Sequence, residues 1–552
     1  MNVNKGNKYT STVESTTRRL NKFYQPHGLH TTFDSGKLIP IYLKEVLPND
    51  VRKLKWSSVV RLLTPKFPTM DNAKIDTFFF YVRNRDIWDK WSQFMGENKD
   101  PWALTSELSV PTLKIPVNEA GRTVGDLADY LGIPINKSVT QTFNIAVNAL
   151  PFRAVCKVWN DYFRDENYNS ELYFPHDNNV SYYVKYNSGL EFTNQVYTGA
   201  VCPPVNRYKD YFSSCLPAPQ KGLAVKLPLG DYAPVVEAPD TDTPANMIIK
   251  PSKSISGFPK YSLTYSGSGE ANDVQFAVPM NDYTYSAPSD TTAQIFLRAD
   301  LSNATAASVN ALRLAFQSQR FLEHSARGGT RYTELLVSMF GVNAPDLMLN
   351  RAEFLGGKSF PLSLTPVTDV GANLGNVGGM SSTVGGDYAF KKHFNEHGYI
   401  LGFACVRTDR SYSQGLEPLW TRSDKTDFYF PVFSHIGEQP VFARELYVNP
   451  TDAGMKRVFG YKEAWNEYRI SFNKNTGYMR GDVTDTLNVW NYSDVYTAQP
   501  VLNPAWLRMQ KEIIDRTITN PNKMQFIADF WFDDTLYSVV SKNSAPGLID
   551  HY

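Results

Sequence analysis

The run Ile75–Trp88, IDTFFFYVRNRDIW, sets aromatic and apolar residues at successive positions rather than alternate ones. It reads as a strand buried on both sides, and such a strand needs a layer of protein over each of its faces. Other β-like runs surround it. Lys37–Asp50 (KLIPIYLKEVLPND) is a strand closed by a Pro-Asn-Asp turn, and Trp56–Met70 is extended, with its prolines at strand ends or edges. Strands resume in His397–Arg410 and Asp427–Phe433, and Val458–Tyr552 carries short Tyr- and Trp-rich segments broken by Asn, Pro and Gly. With 32 Tyr and 33 Phe, the composition favours strands and broad contact surfaces.

Against this background one stretch is helical. In 306–357, Val309, Leu312, Phe316 and Leu322 fall at helix intervals, and Leu314 and Phe321 widen the stripe. Gly328–Gly329 break it, a second set follows at Tyr332, Leu335, Leu336, Met339 and Phe340, and Gly341 is the C-cap. The expectation is a helical pair whose apolar faces pack on strands. Shorter helices are expected in Asp86–Gly96, in Val124–Ile133, and in Ala149–Tyr168, where Val155, Val158, Trp159 and Tyr162 share a face. Val370–Gly386 is a Gly-rich loop, mobile or wrapped against a neighbour.

Composition limits the function classes. The net charge is +1, so the molecule as a whole is not a polycation built for nucleic acid. Lys5, Lys8, Arg18, Arg19 and Lys22 oppose a single Glu14 in a polar N-terminal arm over residues 1–33, too poor in apolar groups to fold alone. That arm is the candidate DNA-facing element, with Phe23 and Tyr24 available to stack on bases. Cys156, Cys202, Cys215 and Cys405 lie far apart without a CxxC pair, which points to reduced, buried thiols. No apolar leader opens the sequence and no run approaches the ~18 apolar residues of a membrane span, so a soluble protein made in a cytoplasm is expected.

Two motifs imitate enzymes. Ala352–Ser359 (AEFLGGKS) matches a relaxed phosphate loop, but that chemistry needs a strand before the loop and a long helix after it, and Pro361 and Pro366 oppose the helix. His393–His397 (HFNEH) matches an inverted zinc-protease pattern, but Gly398 ends any helix at once. Asp161, Asp165 and Glu166, like Asp240 and Asp242, read as solvated charge. No catalytic, metal or cofactor residue is therefore assigned, and a nucleotide- or zinc-dependent enzyme is disfavoured. A cellular β-rich binding protein or adhesin is the other alternative.

Seven segments, in order, resemble the major capsid proteins of the Microviridae, in particular the gokushovirus-like branch. They are IPIYLKEVLPND, FPTMDNAKIDTFFFYVRNRDIW, LPFRAVCKVWNDYFRDEN, KDYFSSCLPAPQKG, ARGGTRYTELLVSMFGVNAPD, EHGYILGF and VFGYKEAWNEYR. The resemblance implies an all-β fold, an eight-stranded antiparallel jelly roll (the viral capsid β-sandwich) with large loop insertions containing short helices. About sixty copies would form a T=1 icosahedral shell around circular single-stranded DNA, assembled in the host bacterial cytoplasm and found in the virion.

The same resemblance organises the chain. Residues 1–33 are the basic arm, 34–230 the first part of the core with helical insertions, and 293–552 the helical pair with the rest of the core. Between them lies 231–292, which has seven Pro and fourteen Ser or Thr but no Arg, His, Cys or Trp. It is expected to be a surface insertion, projecting near the threefold axes toward a host surface receptor. Expected partners are other copies of the chain, the single-stranded DNA genome, a small basic DNA-binding protein, an internal scaffolding protein and a pilot protein. Charge also leads to the expectation of a small basic protein and counterions: about sixty arms carry roughly 240 positive charges, against one phosphate per nucleotide of a genome thousands long. Arg327 and Arg331, flanking the glycine pair, are expected at a subunit interface, on carboxylates or carbonyls.

Overall fold

A computed structural model describes residues 19–97, 108–118, 122–138, 144–178, 201–223, 309–329, 331–343, 350–368, 377–521 and 524–543, with a few isolated positions and short strands besides. The chain forms two compact units, Met1–Lys221 with Ser325–Tyr552, and Gly222–His324.

The larger unit is mostly antiparallel β-sheet. Its principal strands are β1 (Asn21–Tyr24), β2 (His27–Phe33), β3 (Ile39–Val46), β4 (Val51–Leu62), β5 (Ala73–Arg83), β6 (Glu353–Pro361), β7 (Thr383–His393), β8 (Gly398–Thr408) and β9 (Phe526–Ser538). One sheet runs β1-β9-β4-β7, with β2 continuing beyond β1 along the same edge of β9. The other runs β6-β5-β8-β3. The two lie face to face as a β-sandwich. Tyr42 from β3 sits 5.1 Å from Phe532 of β9, and Phe79 from β5 lies 6.4 Å from Trp56 of β4 and 6.2 Å from Phe390 of β7.

The residues explain the difference between the sheets. In β4 and β9 burial alternates, so Leu54, Trp56, Val60, Phe526, Phe530 and Phe532 point inward while Lys55, Ser57, Ile527 and Trp531 face out. β5 and β8 are buried almost throughout, as the aromatic run Ile75–Trp88 requires. Their second face is covered by α1 (Leu150–Val158) and the π-helical turn Trp159–Phe163. Phe163 reaches Phe78 at 5.2 Å and Tyr162 reaches Phe80 at 4.7 Å. α1 starts where it does because Asn148 accepts the Leu150 N–H at 2.9 Å and Pro151, in its first turn, needs no donor.

Four readings of the sequence change. Of the Ala352–Ser359 match, Glu353 onward lies in β6, so its glycines are strand residues. A Cβ on Gly356 would come 2.3 Å from the Ala389 carbonyl oxygen, and one on Gly357 2.4 Å from that of Thr77. The Gly-rich stretch is partly strand: Val377–Ser381 pairs with Leu364–Thr368, and Thr383–Gly386 opens β7. Asp427–Phe433 is no strand; it holds 3-10 turns at Lys425–Asp427 and Pro431–Phe433. Asp161 is not solvated, because its carboxylate accepts the Ala352 N–H at 2.9 Å, and burial raises its pKa. His393 and His397 end β7 and precede β8, and among the described residues no His, Cys, Asp and Glu group could hold a metal. None of the described helices is long and apolar enough to cross a membrane.

The smaller unit contains a four-stranded antiparallel sheet in the order Val274–Phe276, Lys260–Thr264, Ile248–Ser252, Ala293–Gln294, and a separate pair, Val235–Glu237 with Leu297–Ala299. It extends on both sides of 231–292, whose side chains lie outside the described residues.

All four cysteines are free and buried. Burial pushes the thiols of Cys156, Cys215 and Cys405 up to about 12, and that of Cys202 further in the same direction. The native subunit is therefore expected to resist iodoacetamide at pH 8 and to take up four labels in urea. Mass spectrometry that found native labelling at the unfolded rate would contradict this burial.

Candidate assembly surface

Helix α2 (Val309–Gly328) is followed by Gly329, whose φ of +90° few side chains tolerate, and α3 (Tyr332–Phe340) starts three residues after that glycine. Glu334 reaches back to accept the Arg331 N–H at 3.3 Å, and the left-handed Gly341 closes the helix by donating to the Val337 carbonyl at 3.0 Å. The helical pair thus forms as its pattern predicts, but part of its apolar stripe stays exposed, while Leu312, Leu322, Leu335, Leu336 and Met339 are half-buried. No residue of α3 is buried; Tyr332, Val337 and Phe340 are exposed, Phe340 to 70%, and on α2 Leu314, Phe316 and Phe321 are exposed as well.

The two arginines expected at an interface have their partners within the chain. The Arg331 guanidinium donates to Glu334 at 2.9 Å and to the carbonyls of Asn160 and Arg164 at 3.1 and 2.7 Å. Arg327 pairs with Glu438, and with Glu463 at 3.6 Å. These carboxylates belong to a hairpin, Glu438–Phe442 with Val458–Glu463, so Arg327 ties the end of α2 to it.

A second apolar cluster underlies that hairpin: Tyr211, Phe212, Cys215, Tyr412, Val441, Ala443, Leu446 and Phe459. From it rises a loop with little regular structure, in which three 3-10 turns follow one another at Pro418–Trp420, Lys425–Asp427 and Pro431–Phe433. Side chains fix the loop. Asp427 accepts the N–H groups of Ser423 and Asp424 at 2.9 and 3.0 Å, which holds its carboxyl below the ordinary range. Trp465, held at φ +63° where a bulky residue is strained, donates its indole N–H to the Phe433 carbonyl at 2.9 Å. Arg422 lies 4.7 Å over the Tyr468 ring and bonds Glu467 at 2.9 Å.

So braced, the loop presents Trp420, Val432, Phe430 and Ile436 to solvent, Trp420 at 70% exposure and Val432 at 87%. A rigid, well hydrogen-bonded segment that leaves large apolar groups uncovered is the anatomy of a contact surface rather than a folding error. An open cleft of about 500 Å³ at its base is lined by Tyr211, Arg422, Glu445 and Lys462 among others. Desolvation raises Glu445 to about 7, although Phe442 donates its N–H at 2.9 Å and Tyr211 its hydroxyl at 3.4 Å.

Of the arm residues, Lys5, Lys8 and Arg18 lie outside the described residues. Arg19 is exposed, and Lys22 is exposed on β1.

Comparison with known proteins adds a constraint. Residues 11–548 match the capsid protein (F protein) family. Capsid protein VP1 of Bdellovibrio phage phiMH2K is 35% identical over 539 residues, covering 94% of this chain and 93% of that protein. Capsid protein VP1 of Spiroplasma virus 4 is 35% identical over 552 residues, covering 96% and 95%. Capsid protein VP1 of Chlamydia phage 1 is 31% identical over 591 residues, covering 98% and 97%.

Proposed function

The chain belongs to the capsid protein (F protein) family, and from that premise we propose that it closes a T=1 shell of about sixty copies through the exposed loop 416–436 described above. It is a major capsid protein of the Microviridae kind, structural rather than enzymatic, and its place is the virion. The observation that carries the assembly reading is the braced loop 416–436, whose Trp420 and Val432 stay exposed among the described residues.

The sandwich is read as an eight-stranded jelly roll. If β1 and β2 count as one interrupted strand, the sheet orders join first, last, third and sixth strands in one layer and second, seventh, fourth and fifth in the other, which supports that topology. The shell encloses circular single-stranded DNA, with help from a small basic protein, an internal scaffolding protein and a pilot protein. Residues 231–292 project outward and meet a host receptor; unchanged host adsorption by a 231–292 deletion with intact shells would end that role. Arg327 and Arg331 serve the interface by fixing the segments that reach it. The arm residues Lys5, Lys8, Arg18, Arg19 and Lys22 face the DNA.

Negative-stain microscopy of the chain expressed with its scaffolding partner is expected to show closed shells of roughly 25–30 nm. Trp420→Ala with Val432→Asp should abolish those shells while the subunit's unfolding free energy changes by no more than about 0.5 kcal/mol, as for surface substitutions. Shells formed at wild-type yield by this variant would remove the loop from the interface.

A further inference from the structure

We propose that the open face of the β1/β2-β9-β4-β7 sheet binds the packaged single strand; this deepens, and rests on, the reading that the shell encloses single-stranded DNA. The face is outside the sandwich and, unlike the second face of β5 and β8, carries exposed side chains along its strands. The alternation of β4 and β9 and the register between strands fix which residues share it.

Charge is concentrated at one end. Lys53 of β4 lies directly opposite Lys391 of β7, two positions from Lys55, and Lys22 of β1 faces out nearby beside Tyr537. Directly opposed like charges destabilise a sheet, so this arrangement is unfavourable until an anion covers it. Among the described residues none of these four lysines has an ion pair. Asp533 stands opposite Lys55 on the same face and raises the pKa of the exposed Tyr24 hydroxyl.

Aromatic rings interleave with the lysines. Tyr388 stands opposite Lys55, with the Lys53 ammonium 5.8 Å from its ring centroid, and Tyr24 is exposed on β1. Trp531, midway along β9 and 52% exposed, has Gly28 and Ser57 as cross-strand neighbours. With no bulky group beside it, the indole lies over Gly28, where a Cβ would meet its Cε3 at 3.4 Å. That is a flat platform with an open outer surface.

Beyond Trp531 the face runs into an open cavity of about 770 Å³ between the sheet and residues 124–132, lined by His30, Arg61, Tyr130 and Ile527 among others. Phosphate-neutralising lysines, a stacking indole and a roomy groove, in which Arg61 is accompanied by Asp129 and Asp529, follow one another along β4 and β9. A track of cations and aromatic faces is what an unpaired strand with exposed bases requires, and a duplex with its bases stacked inside has no use for the indole.

The test uses the full-length subunit and a fluorescein-labelled 20-nucleotide oligodeoxythymidylate, read by anisotropy over a salt series. Lys53→Gln with Lys391→Gln should weaken binding at least about tenfold at 100 mM salt and lower the slope of log K against log salt by about 1.4, the value for two phosphate contacts on a single strand. Trp531→Ala should cost about tenfold with the slope unchanged, as for a lost stacking contact. Lys53→Arg with Lys391→Arg should bind like wild type. Thermal melting should not fall in the Gln double variant, since it removes an opposed pair. Wild-type affinity and slope in the Gln double variant would overturn the proposal. Shells that protect single-stranded DNA from nuclease alongside that result would leave the enclosure reading standing, whereas native shells without protected single-stranded DNA would sink the parent reading itself.

Discussion

Asp494→Ala is expected to destabilise the subunit by about 3–5 kcal/mol, the usual cost of stripping one partner from a buried ion pair. Asp494 is shared by two buried guanidiniums: Arg207 on one carboxylate oxygen, and Arg410 on the other at 3.2 Å. Arg207 also donates to the Thr408 hydroxyl at 2.9 Å, and Arg410 to the Trp506 carbonyl at 2.6 Å while stacking 4.0 Å over its ring. The triad therefore joins residues around 207, the end of β8, and the 494–506 segment. Burial acts to raise the Asp494 carboxyl, but the two arginines outweigh it and hold the pKa below its ordinary 3.8. A depressed carboxylate stabilises fully above its unfolded pKa, and that stability is lost as pH falls through the lower folded value. Urea midpoints should thus show the Asp494→Ala deficit undiminished from pH 8 to pH 5 and shrinking only in strong acid. A deficit under about 1 kcal/mol would mean that water reaches the two arginines.

The second large effect lies between the sheets. Arg52 from β4 bonds Asp534 of β9 at 2.6 Å, and Tyr42 from β3 donates to the same carboxylate oxygen at 2.7 Å while accepting from Arg52 at 3.0 Å. Arg52→Ala should cost about 3–5 kcal/mol because it leaves Asp534 charged in an apolar core. Replacing all three, Arg52→Met, Asp534→Leu and Tyr42→Phe, should restore wild-type stability or exceed it. The ion pair is imperfectly satisfied, since Arg52 Nε and Asp534 Oδ1 have no hydrogen-bond partner among the described residues. Thermal unfolding decides the matter: a triple variant as unstable as the single one would show that the polar cluster stabilises the sandwich.

Both clusters show where sequence reasoning stops. The strands β3, β5 and β8 are legible because apolar and aromatic residues cluster in them, and β4 because apolar residues such as Leu54, Trp56, Val60 and Leu62 recur on one face. β6 and the start of β7 are not, since Gly356, Gly357, Gly385 and Gly386 sit in strands for close approach of neighbouring groups and carry no pattern. β9 has a clear period of two in Phe526, Ala528, Phe530, Phe532 and Leu536, but Asp534 occupies an inward place and masks it. That inward charge was itself the available signal of a buried partner, although nothing local names Arg52, some 480 positions earlier. The stripes of α2 and α3 mark helices correctly but not how far each face is buried: Phe316 and Phe340 are exposed, whereas Leu312 and Leu336 are half-buried.

The position of β9 also bears on how the subunit is made. Asn21, in β1, donates to the carbonyl of Val540, 519 positions away, and β2 and β4 both take β9 as neighbour. A ribosome adding about 5–20 residues per second leaves the early strands without their central partner for on the order of half a minute or more. Until Phe526–Ser538 has left the exit tunnel, β2 and β4 have free edges and an uncovered core face, the state most exposed to chaperones and proteases. A nascent chain cut short before β9 cannot close this sheet. Truncation before Phe526 is therefore expected to leave β2 and β4 without the strand that lies between them.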